Sequence, residues 1–194
     1  INKGVFLKDL SSGHYFPLRL KTNDSSYCYQ LYKIPDSADS DIGNTVEAYG
    51  SRHYHYFQME GKPLPDFNFV GLNGKVYNNV TCNNKVIVIN TWFINCHACR
   101  VEMPALNQLV KMYKERQGIV FISLAWDNES RLKTFLKENI FKYAVVPDMQ
   151  SYIMDTLGLD IFPTHIIINK TGKVAEITNN YMEMEHALKK IPLR

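Results

Sequence analysis

The feature that most restricts the fold of this chain is a C-x-x-C pair, Cys96 and Cys99, placed between a predicted buried strand and a predicted helix. The continuous β-branched run of residues 86–89 before the pair is typical of a strand that is covered on both faces. The helix is expected from near Cys96 to Gln117, with Gly118 as its stop. The pair therefore lies at the N-terminus of a helix that directly follows a buried strand.

From about Gly61 onward, predicted strands alternate with predicted helices, which implies a largely parallel sheet with helices on both faces. The turn at residues 71–74 predicts a hairpin between strands at 67–70 and 75–77. The later predicted elements are a strand at 119–124, a helix opening at Asn128 or Glu129, a short strand at 143–146, a short helix at 152–157, strands at 165–168 and 174–177, and a helix at 182–190.

The first sixty residues have a different pattern, and we expect a small β-rich segment of unassigned role over residues 1–60. Tyrosines that alternate with other residues at 27–32 and around 54–57 favour short strands. Residues 35–44 are rich in Asp, Ser and Gly and predict an exposed loop. Residues 61–66 contain two prolines and are typical of a linker, so we place the main domain at 61–194.

Charge and cysteine content exclude several classes of protein. The net charge is +3 and the basic residues are scattered among acidic ones, which argues against a nucleic-acid binder. No apolar run is long enough to span a bilayer. Four cysteines in 194 residues do not make a disulfide scaffold, and Cys28 and Cys82 are either paired or separate buried thiols.

The position of the C-x-x-C pair favours redox chemistry. Unpaired N–H groups and the helix dipole at a helix N-terminus stabilise negative charge, and the thiolate is the form of cysteine that attacks a disulfide. Cys96, at the exposed end of the helix, is the predicted nucleophile, and Cys99, one turn further in, is the predicted resolving thiol. The alternative is a zinc site, but one C-x-x-C supplies only two of the four usual ligands.

Two segments resemble a known family. Residues 90–100, followed by Glu102-Met103-Pro104, resemble the active-site segment of the TlpA/ResA-type extracytoplasmic thioredoxins, and residues 158–173 resemble that family's cis-proline strand and the hairpin after it. The resemblance covers the chain from Gly61 to its C-terminus. It implies an α/β, thioredoxin-like fold with a mixed central sheet flanked by helices. The strand and helix between residues 141 and 157 resemble the insertion that distinguishes this group.

The resemblance also implies residue roles. Cys96 attacks, Cys99 resolves, and Glu102 assists proton transfer at Cys99; its place three residues further along the same helical face agrees with this role. Pro163 is implied to be a cis-proline opposite the cysteines that frees backbone groups of Phe162 for a substrate strand. The alternatives are a solvent-exposed glutamate and a trans proline that merely starts a strand.

Three positions depart from related proteins. Minimal thioredoxins have a buried aspartate where this chain has Asn90, which has no basic side chain and increases the demand on Glu102. Many relatives have tryptophan where this chain has Asn95. His97 lies between the cysteines, where a protonated imidazole would stabilise the Cys96 thiolate, although a solvated histidine without a role fits equally well.

The resemblance implies a thiol–disulfide oxidoreductase that reduces or exchanges disulfides of extracytoplasmic proteins, without a cofactor and with a membrane thiol as electron donor. The expected compartment is the bacterial periplasm or cell envelope. Because the chain begins at Ile1 and not at Met, we expect that a signal peptide or a membrane anchor preceded it.

Two alternatives remain open at the level of sequence. One is a copper-handling protein that uses Cys96, Cys99 and either His165 or His97. The other is a redox-controlled adaptor in which residues 1–60 bind a partner. The direction of electron flow, the natural substrate and the oligomeric state do not follow from the sequence.

Overall fold

The computed structural model describes residues 1–20, 28–116 and 118–192. They divide into two compact units, Ile1–Met59 and Glu60–Arg194, each with its own buried apolar cluster. Among the helices of these described ranges, none is both long enough and apolar enough to cross a membrane.

The first unit consists of two helices and one hairpin. Its elements are α1 (Lys3–Leu10), β1 (Tyr15–Leu20), β2 (Cys28–Lys33) and α2 (Ser40–Met59). The strands β1 and β2 pair antiparallel. Leu7, Leu10 and Val46 form the buried core between the helices.

The expectation of a β-rich segment over residues 1–60 is wrong. A strand does occupy most of residues 27–32, although Tyr27 lies outside the described residues, but residues 54–57 belong to α2. The aromatic spacing fits a helix, because the rings of Tyr49 and His53 lie 4.1 Å apart and those of His53 and Tyr56 lie 5.7 Å apart. The expected loop at 35–44 is also too long, since α2 begins at Ser40.

The second unit contains the remaining elements. They are β3 (Asn68–Val70), β4 (Val76–Asn78), β5 (Val86–Trp92), α3 (His97–Met112), β6 (Ile119–Ala125), α4 (Glu129–Glu138), β7 (Ala144–Val146), a π-helical turn (Tyr152–Thr156), β8 (Thr164–Ile168), β9 (Val174–Thr178) and α5 (Tyr181–Lys189). The predicted strands and helices of this part of the chain are thus present, with shifted ends.

The main sheet is mixed, with strand order β7-β6-β5-β8-β9. The strands β5, β6 and β7 run parallel, whereas β8 is antiparallel to both β5 and β9. All seven residues of β5 are buried, as the β-branched run predicts for a central strand. The carboxyl end of this strand leads directly into the C-x-x-C turn.

Two boundaries differ from the sequence-based expectation. The helix α3 ends at Met112, earlier than the expected Gln117, which lies outside the described residues. Tyr113 is the C-cap residue of this helix, and the ring of Tyr113 is buried in the core. Residues 61–66 do not form a free linker. The N–H of Gly61 donates to the Val174 carbonyl and the N–H of Val174 donates to the Lys62 carbonyl, both at 2.8 Å, so this segment is bound to the start of β9.

Candidate active site

The C-x-x-C turn is fixed to the loop that follows β6. Asp127 is buried, and its carboxylate accepts the N–H of Ile94 at 2.7 Å, two residues before Cys96. Cys96 then caps the N-terminus of α3, and it forms a disulfide with Cys99 whose Cα atoms are 5.3 Å apart. The two sulfurs predicted to carry the chemistry are therefore bonded to each other at the tip of a helix.

The surroundings of Cys96 favour a thiolate when the disulfide is reduced. The backbone N–H of Cys99 points at the Cys96 sulfur, at 3.1 Å, and the first turn of α3 holds no acidic residue. Both features, together with the helix dipole, stabilise negative charge at that sulfur. Cys96 is 6% exposed and Cys99 is 2% exposed, so Cys96 is the more accessible of the two.

Pro163 lies at the start of β8, next to β5. The Phe162–Pro163 peptide bond is cis. The N–H of Thr164 donates to the hydroxyl of Thr91 at 3.2 Å, and that hydroxyl donates to the Thr164 carbonyl at 3.3 Å, which ties the segment to the strand that carries the cysteines. Phe162 packs against the buried cluster that contains both cysteines.

Three partly buried aromatic rings form an apolar patch beside the disulfide. The ring of Phe162 lies 5.4 Å from that of Phe93 and 5.6 Å from that of Trp126, and the rings of Phe93 and Trp126 are 6.0 Å apart. The three residues come from the loops that follow β5 and β6 and from the segment before β8. The patch can therefore contact apolar side chains of a polypeptide brought to the cysteines.

Glu102 is not a freely solvated helical glutamate. Its side chain is 17% exposed, and both carboxylate oxygens have partners. The Oε1 atom accepts the backbone N–H of Tyr181 at 3.0 Å, and the Oε2 atom lies 2.9 Å from Nε2 of His165. Burial and the Glu102 charge raise the pKa of Tyr143 well above its ordinary value, so this neighbouring phenol stays neutral.

Asn90 and His165 lie opposite each other on β5 and β8. Asn90 is 2% exposed and His165 is fully buried. The side-chain amide nitrogen of Asn90 is 3.4 Å from Nδ1 of His165. The structure thus brings together a continuous polar chain, Asn90–His165–Glu102, that extends from the central strand to the helix of the cysteines.

Sequence reasoning missed two of these residues. The sequence predicts a role for His165 only as a copper ligand, and no motif indicates Asp127. Two polar residues, Asn90 and His165, interrupt otherwise apolar buried strands, and this signal predicts that they need each other as partners. In the described ranges, no group of three or more His, Cys, Asp and Glu side chains is placed to bind a metal ion. Cys28, which is exposed, and Cys82, which is buried, are both free thiols.

Comparisons with known proteins show the family of this chain. The Redoxin family matches residues 59–191. A protein named thiol-disulfide oxidoreductase ResA, from Bacillus cereus, is 33% identical over 145 residues, which cover 70% of this chain and 83% of the relative. The thioredoxin-like protein YneN of Bacillus subtilis is 27% identical over 135 residues, covering 67% of this chain and 79% of that protein.

Solved structures show the same architecture. A putative thiol:disulfide interchange protein DsbE from Chlorobium tepidum has a TM-score of 0.60 at 23% identity, over 67% of this chain and 95% of that one. A putative thioredoxin from Neisseria meningitidis has a TM-score of 0.55 at 24% identity, over 66% and 90%. The thioredoxin-like fold expected from the sequence is thereby confirmed.

Proposed function

Because the chain belongs to the Redoxin family and is a thiol–disulfide oxidoreductase of the ResA type, we propose that it reduces or exchanges disulfides of proteins outside the cytoplasm. Disulfide-containing proteins are its substrates. The observation that carries the proposal is the disulfide between Cys96 and Cys99 at the N-terminus of α3.

The first step is attack by Cys96. In the reduced protein, the Cys96 thiolate attacks one sulfur of a substrate disulfide, and the substrate's S–S bond breaks as a mixed disulfide forms. The other substrate sulfur leaves as a thiolate and takes a proton from solvent. The Cys99 N–H, 3.1 Å from the Cys96 sulfur, and the end of α3 stabilise the thiolate before it reacts.

The second step is resolution by Cys99. The Cys99 thiol gives its proton to Glu102, and the resulting thiolate attacks the sulfur of Cys96. The mixed disulfide breaks, the second substrate sulfur leaves as a thiolate, and the disulfide of the protein forms. One electron pair has then passed from the dithiol of this chain to the substrate.

The substrate is held by backbone pairing and apolar contact. An extended segment pairs with the backbone beside Phe162, where Pro163 has no N–H to offer, and the three-ring patch of Phe93, Trp126 and Phe162 receives its apolar side chains. This arrangement is sequence-tolerant, because main-chain groups supply most of the polar contacts.

The compartment, the donor and the anchor are part of the proposal. Family resemblance supports an extracytoplasmic location, in the periplasm or the cell envelope. A membrane thiol protein donates the electrons that return the Cys96–Cys99 disulfide to the dithiol. A membrane anchor upstream of Ile1 keeps the two proteins close together.

A trapping experiment tests the two cysteine roles. Cys99→Ser is expected to accumulate a covalent mixed disulfide between Cys96 and a substrate protein, because attack proceeds and resolution does not. Cys96→Ser is the matched control; both proteins also carry Cys28→Ser, which removes the exposed free thiol, and the control is expected to form no adduct. Adducts through Cys99 in the Cys96→Ser protein, measured by non-reducing electrophoresis and mass spectrometry, would reverse the assigned roles.

The reduction potential tests the direction of electron flow. Titration of the Cys96–Cys99 couple against glutathione is expected to give a value near the reducing end of the range for C-x-x-C proteins, about −270 mV as in thioredoxin. A value near the oxidising end, about −120 mV as in DsbA, would contradict the reductive direction while leaving the exchange chemistry intact.

A further inference from the structure

We propose that His165, oriented by Asn90, is a positioning residue that holds Glu102 as an ionised carboxylate ready to take the proton of Cys99. The proposal rests on the function proposed above. It assigns a role to Asn90 on β5 and to His165 on β8, which connect to α3 through Glu102. It concerns only the resolving step.

The hydrogen bonds determine which nitrogen of His165 carries the proton. Asn90 presents its amide nitrogen, a donor, to Nδ1 of His165 at 3.4 Å. Nδ1 therefore accepts, and the proton of the neutral ring lies on Nε2. Nε2 is 2.9 Å from Oε2 of Glu102, so the imidazole N–H donates to the carboxylate.

Both partners of Glu102 are hydrogen-bond donors. Each carboxylate oxygen accepts one N–H, from His165 and from the backbone of Tyr181, and donors to a carboxylate stabilise its charge. The same two bonds fix the plane of the carboxylate. Glu102 lies three residues after Cys99 on α3, hence on the same helical face as the thiol it is to deprotonate.

The other groups around this pair do not compete for the proton. On the side of β7, Tyr143 is buried and its raised pKa keeps it a neutral phenol. On the side of β5, Asn90 is a neutral amide, and on the side of α5 the contact is the backbone N–H of Tyr181. Along α3 itself, Cys99 lies three residues before Glu102. The proposal therefore assigns Glu102 as the acceptor of the Cys99 proton.

The amide of Asn90 connects the central strand to this pair. The structure uses Asn90 to orient an imidazole on the neighbouring strand, and the imidazole orients an acid on the helix.

Stopped-flow mixing of the reduced full chain with a chromogenic aromatic disulfide tests the proposal. Attack by Cys96 releases the first coloured thiolate, and attack by Cys99 releases the second, so the two steps are seen separately. Cys28→Ser in every protein removes the exposed thiol that would also react. The rate of the second release is measured as a function of pH, and the first release serves as the reference for each variant.

His165→Phe and His165→Gln form the matched pair. The acidic limb is the fall in the rate of the second release at low pH, where Glu102 takes up a proton. His165→Phe has no N–H donor and is expected to shift this limb upward by about one pH unit, a tenfold change in the proton affinity of Glu102. The amide of His165→Gln still donates but does not titrate, and it is expected to bring the limb back to the wild-type position. Glu102→Gln is expected to remove the limb.

Three outcomes would overturn the proposal: an unshifted limb in His165→Phe, equal shifts in both His165 variants, or a limb that persists in Glu102→Gln. If His165→Phe does not fold, Asn90→Ala replaces it. Without the Asn90 donor, the proton of His165 is no longer held on Nε2. An upward shift of the limb in this variant supports the proposal, and no shift refutes it. Absence of the first release in the parent protein would instead refute the proposed function.

Discussion

Asp127 shows at the residue scale how a single buried acid shapes the turn that carries the disulfide. It is 6% exposed; one oxygen accepts the N–H of Ile94 and the other pairs with Arg131 at 2.8 Å. The Arg131 side chain is 56% exposed, so its half of the interaction is solvated. We therefore expect the hydrogen bond from the Ile94 N–H to contribute more to stability than the ion pair with Arg131.

Asp127→Ala is expected to lower the free energy of unfolding by about 1–3 kcal/mol, because the N–H of Ile94 loses its acceptor in a partly buried place. Arg131→Ala removes the exposed partner and is expected to cost about 0–1 kcal/mol. Urea unfolding of the two variants measures the difference. Equal losses would mean that the ion pair, and not the backbone bond, carries the effect.

For single residues, the sequence predicts which side chains belong to the candidate site better than it predicts which of them contact each other. Cys96, Cys99, Glu102 and Pro163 follow from motif and resemblance, and the structure brings Pro163 and the cysteines to one end of the sheet. The link from Glu102 to His165 joins residues 63 positions apart and depends on the order of strands in the sheet. Spacing along the chain does not contain that information.

At the scale of elements, α5 contributes to the site through its first residue. Tyr181 begins this helix, and its N–H binds Glu102. The side chain of Asn180 caps the same helix by accepting the N–H of Glu183 at 2.9 Å. Asn128 caps α4 in the same way, by accepting the N–H of Arg131 at 3.0 Å, but α4 has no such bond to Glu102. Asn128 is therefore a matched asparagine cap on a helix that does not donate to Glu102.

Asn180→Ala and Asn128→Ala are each expected to lower the free energy of unfolding by about 1 kcal/mol, the usual cost of losing an N-cap side chain. Only Asn180→Ala is expected to raise the pH of the acidic limb of the second thiolate release, since a frayed first turn weakens the Tyr181 donor. Thermal unfolding and the stopped-flow assay measure the two effects. A shift of the limb in Asn128→Ala would show that loss of stability alone moves it.

The elements of the second unit were predictable because their signals are strong and local. A continuous β-branched run predicts β5, and largely apolar runs predict β6 and β8. Asn128 and Gly172 mark a cap and a turn. The helix α2 was mispredicted because its aromatic residues satisfy both a two-residue and a three-to-four-residue spacing around 49–57. Only packing against α1 decides between the two, and that contact is not visible in the local pattern.

At the scale of the whole molecule, the second unit holds every residue of the candidate site. Its boundary also includes residues 60–66, because Leu64 is buried and Pro63 bridges to Lys173. The family match begins at residue 59. The unit therefore has a complete sheet, its own core and a fixed N-terminal edge without residues 1–59.

A fragment that starts at Glu60 is expected to fold and to release both coloured thiolates at rates within about twofold of the full chain, because the second unit contains every residue of the candidate site and its own hydrophobic core. A fragment that starts at Phe67 is the control and is expected to be less stable, because it loses Leu64 and the pairing of residues 61–63. Circular dichroism and the stopped-flow assay compare them. Slower release by the longer fragment would assign residues 1–59 a part in the chemistry.

The burial of Trp92 has an optical consequence. This residue is fully buried in the same cluster as Cys96 and Cys99, and the chain has one other tryptophan, Trp126. A disulfide accepts electrons from a photoexcited indole at short range and quenches its emission, whereas two thiols do so much less. Tryptophan fluorescence is therefore expected to brighten on reduction and to do so still in Trp126→Phe, which would let the oxidation state be followed in real time without any label.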